Sequence, residues 1–524
     1  MSMHRTKKTV GLLLAALMLV PLASMCVVAD NTPAPAPVTR EWTIMLYIGA
    51  DNEFYENDDG DIVSFTLEQC EKAFGEDLED GETTDDINMV VLVDKRNTVQ
   101  EGVFIYDNTD FGTPVETWSE MNTSDPETLL TFIDYCADNY PATKTLLVTK
   151  SGHAWCGICP DMDDDDAETE SSEYWMMPID GLREAIAGSK LGHLDMILLD
   201  GDNMASTEVL YELRKVVDVF VGSQQDVPID GMPYRLMLGD LIDNPEMAPK
   251  EFACKIVTDF VLYYNNTVGN KVAMDHLLAD SQMAVTASAF ETGPDGEYVV
   301  DMVDAFMDII RYMLYGVEPG EDPAVLTEWI PTLRPCIASA RDFALIGKMA
   351  DQAGYEWLPD VQSWVTMLQN YVCYTYEDWG IISAPDTVFE DLAMAFKDKF
   401  NASRVGMAQC QILNRSGNSD PNGLNIWFPQ NWLHWEDLDM TRTRSYAYDG
   451  MGSWVDVPRE YYCVDCPLNY SEVGLDFLSD YASLSIEESP HTELWIQFYD
   501  IYYDARWLLY SSDSGESKPM TGRS

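Results

Sequence analysis

The sequence predicts an α/β protein: a mostly parallel sheet flanked by helices, with a helical and mixed C-terminal half. Three observations predict it. Short, nearly continuous apolar runs recur along the chain, as expected of strands buried on both faces. Stretches of helical length and amphipathic spacing separate them, the alternation that builds parallel strands through crossover helices. The runs end in polar clusters, the position where open parallel sheets carry their sites.

The elements follow in order. Residues 42–48 (WTIMLYI) read as a strand and 63–74 as a helix. Residues 87–93 (INMVVLV) are a second strand, and 126–139 a helix opened by a proline at its first turn. A strand at 145–149 (TLLVT), a helix at 179–187 and a strand at 194–199 (LDMILL) come next. A helix at 205–215 leads to a strand at 217–221 (VDVFV). The stretch 251–399 reads as mainly helical, and 424–428 (LNIWF) returns as a strand. No repeat of 20–50 residues is visible.

Around this core the organisation is linear. Residues 1–29 read as a secretory signal. His4, Arg5, Lys7 and Lys8 precede an apolar run at 10–20, and Val27-Val28-Ala29 offers a small-residue cleavage site. That run is short of the ~20 residues a membrane span needs, so the mature chain is expected to carry no transmembrane anchor. A secreted or envelope-associated location follows. A Pro/Ala-rich linker covers 30–40, an α/β core 41–235, a helical and mixed part 236–510, and a polar tail 511–524.

Composition narrows the function. Asp+Glu number 90 against 31 Lys+Arg, a net charge of −59. Nucleic acid and anionic membrane surfaces need a basic footprint and are excluded as expected partners. A basic peptide or protein is favoured instead. Hydrophobic residues at 46% supply a large core, which excludes disorder of the whole chain despite the charge. Of the eleven cysteines, Cys156 and Cys159 form a CxxC pair. The run that follows, Pro160-Asp161-Met162, opens no helix to lower a thiol pKa, so a surface disulfide or inert thiols are favoured over a redox centre. Cys463 and Cys466 make a second pair about 300 residues away, a weak basis for a zinc site. The run 57–61 imitates a calcium loop, but Tyr55 and Thr66 occupy positions that need acids.

Candidate site residues cluster at the strand ends: Asp51-Asn52, Asp94, Ser151-Gly152-His153, Asp200-Gly201-Asp202 and Gly222-Ser223. The segments WTIMLYIGADN (42–52), INMVVLVDKRN (87–97), residues 127–155, LDMILLDGDNMASTEVLYEL (194–213), SQQDVPIDGMPY (223–234) and GLNIWFP (423–429) resemble the clostripain family of cysteine peptidases. The likeness runs from roughly 40 to 510. It implies a caspase-like fold, and a mechanism in which a His after one strand serves a Cys nucleophile after the next.

This chain departs from that pattern at both positions. The family's nucleophile motif reads Asp-Ala-Cys-Leu-Met-Ala, whereas residues 200–205 read Asp-Gly-Asp-Asn-Met-Ala, so Asp202 replaces the Cys. A carboxylate is a poor nucleophile toward an amide, and its acyl product would be a mixed anhydride. The family's His-Gly-Gly-Gly-Trp becomes Ser151-Gly152-His153-Ala154-Trp155. Anchoring on Trp155 puts Ser151 at the His position, and anchoring on Pro141-Ala142 puts Gly152 there, one residue from His153. The resemblance implies that Asp200, with Asp226 or Asp230 downstream, lines a pocket for a basic side chain; Asp200 as a cap of the following helix is the bland alternative. It also allows calcium as a cofactor, for which the acidic loop of Asp161 and Asp163–Asp166 offers ligands, although like-charge runs are usually solvated loops. No other cofactor is expected.

Three functions of different class remain. A peptidase homologue without turnover, retaining a groove for basic peptides, is favoured. A hydrolase using Asp202 and His153 in a changed mechanism and a scaffold for protein interaction are the alternatives.

Overall fold

In the computed structural model the described residues are 37–50, 62–76, 84–95, 102–150, 157–161, 177–225, 227–228, 230–267, 284–317, 319, 329–344, 358–375, 386–411, 421–426, 445–448, 454–457 and 498. Residues 1–29, where a secretory signal is expected, the tail at 511–524 and residues 151–156 lie outside them.

Five parallel strands form the centre, and all five apolar runs expected of a parallel sheet are in it. They are β1 (Arg40–Ala50), β2 (Ile87–Lys95), β5 (Ala142–Lys150), β8 (Leu194–Asp200) and β9 (Val217–Gly222). Short strands β3 (Phe104–Asp107) and β4 (Glu116–Thr117) extend one side, and β6 (Gly157–Ile158) pairs with β7 (Met177–Pro178) apart from it. With β10 (Ala284–Glu291) and β11 (Arg404–Gln411) the order across the sheet is β11-β10-β9-β8-β5-β1-β2-β3-β4. The β3, β4, β10 and β11 pairings are antiparallel, so antiparallel edges flank a parallel middle.

Alternation along each strand divides its side chains between two cores, because successive residues point to opposite faces. Met45, Tyr47, Val90, Leu92, Leu147 and Ile197 join one core. Trp42, Ile44, Leu46, Met89, Val91, Leu146, Val148, Met196 and Leu198 join the other. The first core is covered by α2 (Pro126–Asn139), α3 (Ile179–Gly188) and α4 (Thr207–Leu213). The second packs against α1 (Ile62–Glu71), α5 (Tyr234–Asp243) and α6 (Pro249–Thr267). Burial on both faces is why these strands read as unbroken apolar runs.

Beyond β10, the described helices of the C-terminal half pack on the first core. They are α7 (Glu297–Tyr315), α8 (Trp329–Ala344), α9 (Val361–Asn370) and α10 (Thr387–Ser403). One expectation is refined and another corrected. The described part of 251–399 is mainly helical, as expected, but it also contains β10, whose AVTASAFE sequence hides a strand because its buried alternate positions are Thr286 and Ser288. Both are satisfied: Thr286 Oγ1 accepts from Gln224 N at 3.0 Å, and Ser288 Oγ donates to the Gly423 carbonyl at 2.6 Å. In the described part of 424–428, Asn425 makes only isolated bridges to Ser206 and Asp360 rather than a strand.

Candidate functional site

The C-terminal ends of β5 and β8 lie side by side, with Lys150 and Asp200 in register. Their side chains meet: Lys150 Nζ is 3.0 Å from Asp200 Oδ2, and both side chains are almost wholly buried, at 3% and 1% exposure. Asp200 also accepts from Met232 N at 3.1 and 3.2 Å and from the Tyr234 hydroxyl at 2.7 Å. Lys150 reaches the Asp230 carbonyl at 3.4 Å and lies 5.5 Å from the centre of the Tyr234 ring. A buried charge is tolerated only with such compensation.

The segment that closes over this pair follows β9. Gly231 takes φ +74°, the left-handed region that glycine adopts without strain. A Cβ there would fall 2.0 Å from Lys150 Nζ and 2.4 Å from Asp200 Oδ2. The Tyr264 hydroxyl of α6 donates to the Gly231 carbonyl at 2.7 Å and holds the segment down. Burial, helped by the charges of Asp230 and Asp200, pushes the Tyr264 phenol well above its ordinary range, so it stays a donor.

Asp202 begins the turn after β8. Its Oδ1 accepts from Val227 N at 2.7 Å, and the side chain is half-buried. The next residue, Asn203, has φ +56°, an uncommon conformation for a residue with a side chain. Asn203 N donates to the Gln225 carbonyl at 3.1 Å and Ala205 N to the Ser223 carbonyl at 2.8 Å. The turn is therefore fastened to the segment leaving β9. Helix α4 is capped by Ser206, whose Oγ accepts from Val209 N, so Asp200 is not a helix cap.

The structure thus places Asp200 and Asp202 at the end of β8 and Asp230 in the segment after β9. Ser151 and His153 lie outside the described residues, as do Asp226, Cys156 and Asp163–Asp166. Three site residues were missed in the sequence: Lys150, Gly231 and Tyr234. Lys150 carried half a signal, a cation ending an apolar strand, which burial obliges to find a partner; which partner follows only from the sheet register.

A second polar group sits at the ends of β1 and β2. Asp161 Oδ2 accepts from Thr123 N at 2.5 Å, and the Thr123 hydroxyl lies 3.1 Å from Asp161 and 3.2 Å from Asp94. Asp161, a calcium candidate in the sequence, is thereby engaged in holding Thr123. Among the described residues no group of three or more His, Cys, Asp or Glu is arranged to hold a metal ion. Cys159 lies beneath this group, fully buried at φ +48°, its Sγ 3.9 Å from the Lys150 carbonyl. Burial pushes its thiol up to about 12, so it is a thiol and not a nucleophile at neutral pH. Among the described residues no helix is long and apolar enough to cross a membrane.

Comparison with known proteins gives a family match. Residues 66–291 match the model of the Clostripain family, which spans the strands and loops that build this site. No curated protein matches the chain. Solved structures similar to it include a secreted C11 cysteine protease from Bacteroides thetaiotaomicron in complex with an irreversible peptide inhibitor, at 15% identity and TM-score 0.47, covering 74% of this chain and 93% of the other. An inactive zymogen C11 protease from Parabacteroides distasonis is 19% identical, with TM-score 0.47 and coverage of 76% and 94%.

Proposed function

Taking the chain as a clostripain-like peptidase homologue over residues 66–291, we propose that it is an exported protein that has lost turnover and serves in binding. The observation that carries this reading is Asp202. The sequence resemblance aligns it with the family's cysteine, and its carboxylate accepts from the Val227 amide. Acyl transfer to a peptide needs a nucleophile that attacks a carbonyl and a base that activates it. A carboxylate is a weak candidate for the first role, and the base position holds Ser151 or lies one residue from His153. Cys159, the described cysteine beside β5, is buried with its thiol pushed up to about 12, which makes it a poor substitute.

The partner best suited to the chain is basic. A net charge of −59 draws a cationic peptide or protein by long-range attraction and speeds its encounter. Binding of this kind weakens as salt rises, whereas a buried recognition pocket is screened less.

An electrophilic peptide probe tests the loss of the nucleophile. The purified protein is incubated with a lysine-bearing acyloxymethyl ketone and weighed intact by mass spectrometry. The expected spectrum shows no peptide-directed adduct. A stoichiometric adduct on Asp202 or on any cysteine would overturn the reading.

A further inference from the structure

We propose that the Asp200 carboxylate, the Asp230 carbonyl and the Tyr234 ring form a cation cage whose ligand is the chain's own Lys150 ammonium, and that this tethered ligand shuts the cage to basic side chains from outside. It deepens the reading above, since it concerns the same strand ends, but it does not depend on whether turnover is lost.

The geometry has the features of an occupied binding site. The ammonium is held by a carboxylate at 3.0 Å and a carbonyl oxygen at 3.4 Å, with an aromatic ring at 5.5 Å from its centre. These are the groups that recognise an alkylammonium: an anion, a neutral acceptor and a π-face. The carboxylate is itself preorganised, its oxygens fixed by Met232 N and the Tyr234 hydroxyl. Gly231 covers the pair so closely that not even a methyl group fits between them. Lys150 is attached to the end of β5, so its effective concentration in the cage is high, and an external cation must compete with an intramolecular one. An incoming lysine or arginine would have to lift the Gly231 segment and expel the lysine into a low-dielectric interior. Both steps oppose entry.

Vacating the cage tests this. Lys150→Ala removes the ammonium and three methylenes, which n-propylammonium replaces atom for atom. The melting temperatures of the unmodified protein, Lys150→Ala and Lys150→Ala/Asp200→Asn are read against rising n-propylammonium chloride, with tetramethylammonium chloride as the control. That control cannot donate a hydrogen bond. The expected result is a rise of about 2–4 °C in Lys150→Ala with n-propylammonium alone, growing with concentration. The unmodified protein and the double variant should respond equally to the two salts. If Lys150→Ala does not fold unaided, its refolding yield in each salt is measured, with selective recovery by n-propylammonium expected. An equal response to the two salts in Lys150→Ala, in melting or refolding, would overturn the proposal. So would binding of Nα-acetyl-lysine amide by the unmodified protein that Asp200→Asn abolishes. These readouts involve no peptide cleavage. Turnover by the unmodified protein would therefore sink the proposed function and leave the cage standing.

Discussion

Lys150 and Asp200 are register partners at the ends of two adjacent parallel strands, and their side chains form a buried ion pair of 3.0 Å. Each strand continues directly into a candidate site segment, residues 151–153 after one and Asp202 after the other. The pair therefore ties together the two strand ends that lead into the candidate site.

Removing one partner should cost far more than removing the charge of both. Lys150→Met leaves a buried carboxylate without its counter-charge and is expected to destabilise by about 3–5 kcal/mol. Adding Asp200→Asn retains an acceptor for Met232 N and the Tyr234 hydroxyl, and should return about 1–3 kcal/mol of that loss. Urea unfolding of the two singles and the double measures the coupling. Additive losses would show that the two side chains are not a unit.

Gly231→Ala should be disproportionately costly for a single methyl. It places a side chain at φ +74° and a Cβ 2.0 Å from Lys150 Nζ. A loss of about 2–4 kcal/mol is expected, combining backbone strain with displacement of the ion pair. Denaturant midpoints compare it with Gly239→Ala, where a Cβ meets nothing within 4 Å.

These residues show what the sequence could and could not reveal. The five central strands were legible because double-sided burial writes itself as an apolar run. Strand β10 was not, because Thr286 and Ser288 are buried in hydrogen bonds to Gln224 and Gly423, partners far away in sequence. Asp200 and Asp202 stood out through their motif, but the occupant of the Asp200 site did not. Lys150 is 50 residues from its partner, and the register that joins them is a property of the sheet. Gly231 looked like an ordinary turn glycine until the groups beneath it were in place.

Stability should carry a pH signature between α5 and α6. The Asp259 carboxyl is pushed up to about 7, first by burial and then by its hydrogen bond and charge interaction with Asp240. Lys255 opposes the shift, lying 2.7 Å from Asp240 and 3.7 Å from Asp259. A raised acid means that the folded state binds the proton more tightly than the unfolded one. Its contribution is therefore full below pH ~4 and is lost as pH rises toward 7. Asp259→Asn should flatten this decline, gaining about 1–3 kcal/mol relative to the unmodified protein between pH 4 and 8. Unfolding free energies across that range check it; an identical pH profile in the variant would refute it.

The buried thiols should resist alkylation. Burial pushes Cys70 and Cys159 up to about 12 and Cys136 well above its ordinary range. Iodoacetamide at pH 8 is expected to leave all three unmodified in the native protein and to modify them in urea, as read by peptide mapping. Rapid native labelling of Cys159 would mean that it is an accessible thiol and would reopen it as a nucleophile.

Under the proposed function Asp202 does not do what a cysteine would do in its place, and cleavage of fluorogenic lysyl and arginyl peptides puts this to the test. The unmodified protein, Asp202→Asn and Asp202→Cys/Ser151→His are assayed together, with and without calcium. Asn at 202 still offers an acceptor to the Val227 amide, so that variant is expected to fold. No cleavage above background is expected of the unmodified protein or of Asp202→Asn, and restoring cysteine and histidine is expected to give cleavage only with Lys150→Ala added, because Lys150 otherwise holds the cage against lysyl and arginyl side chains. Cleavage by the unmodified protein that Asp202→Asn abolishes would contradict it and make the carboxylate itself the catalyst.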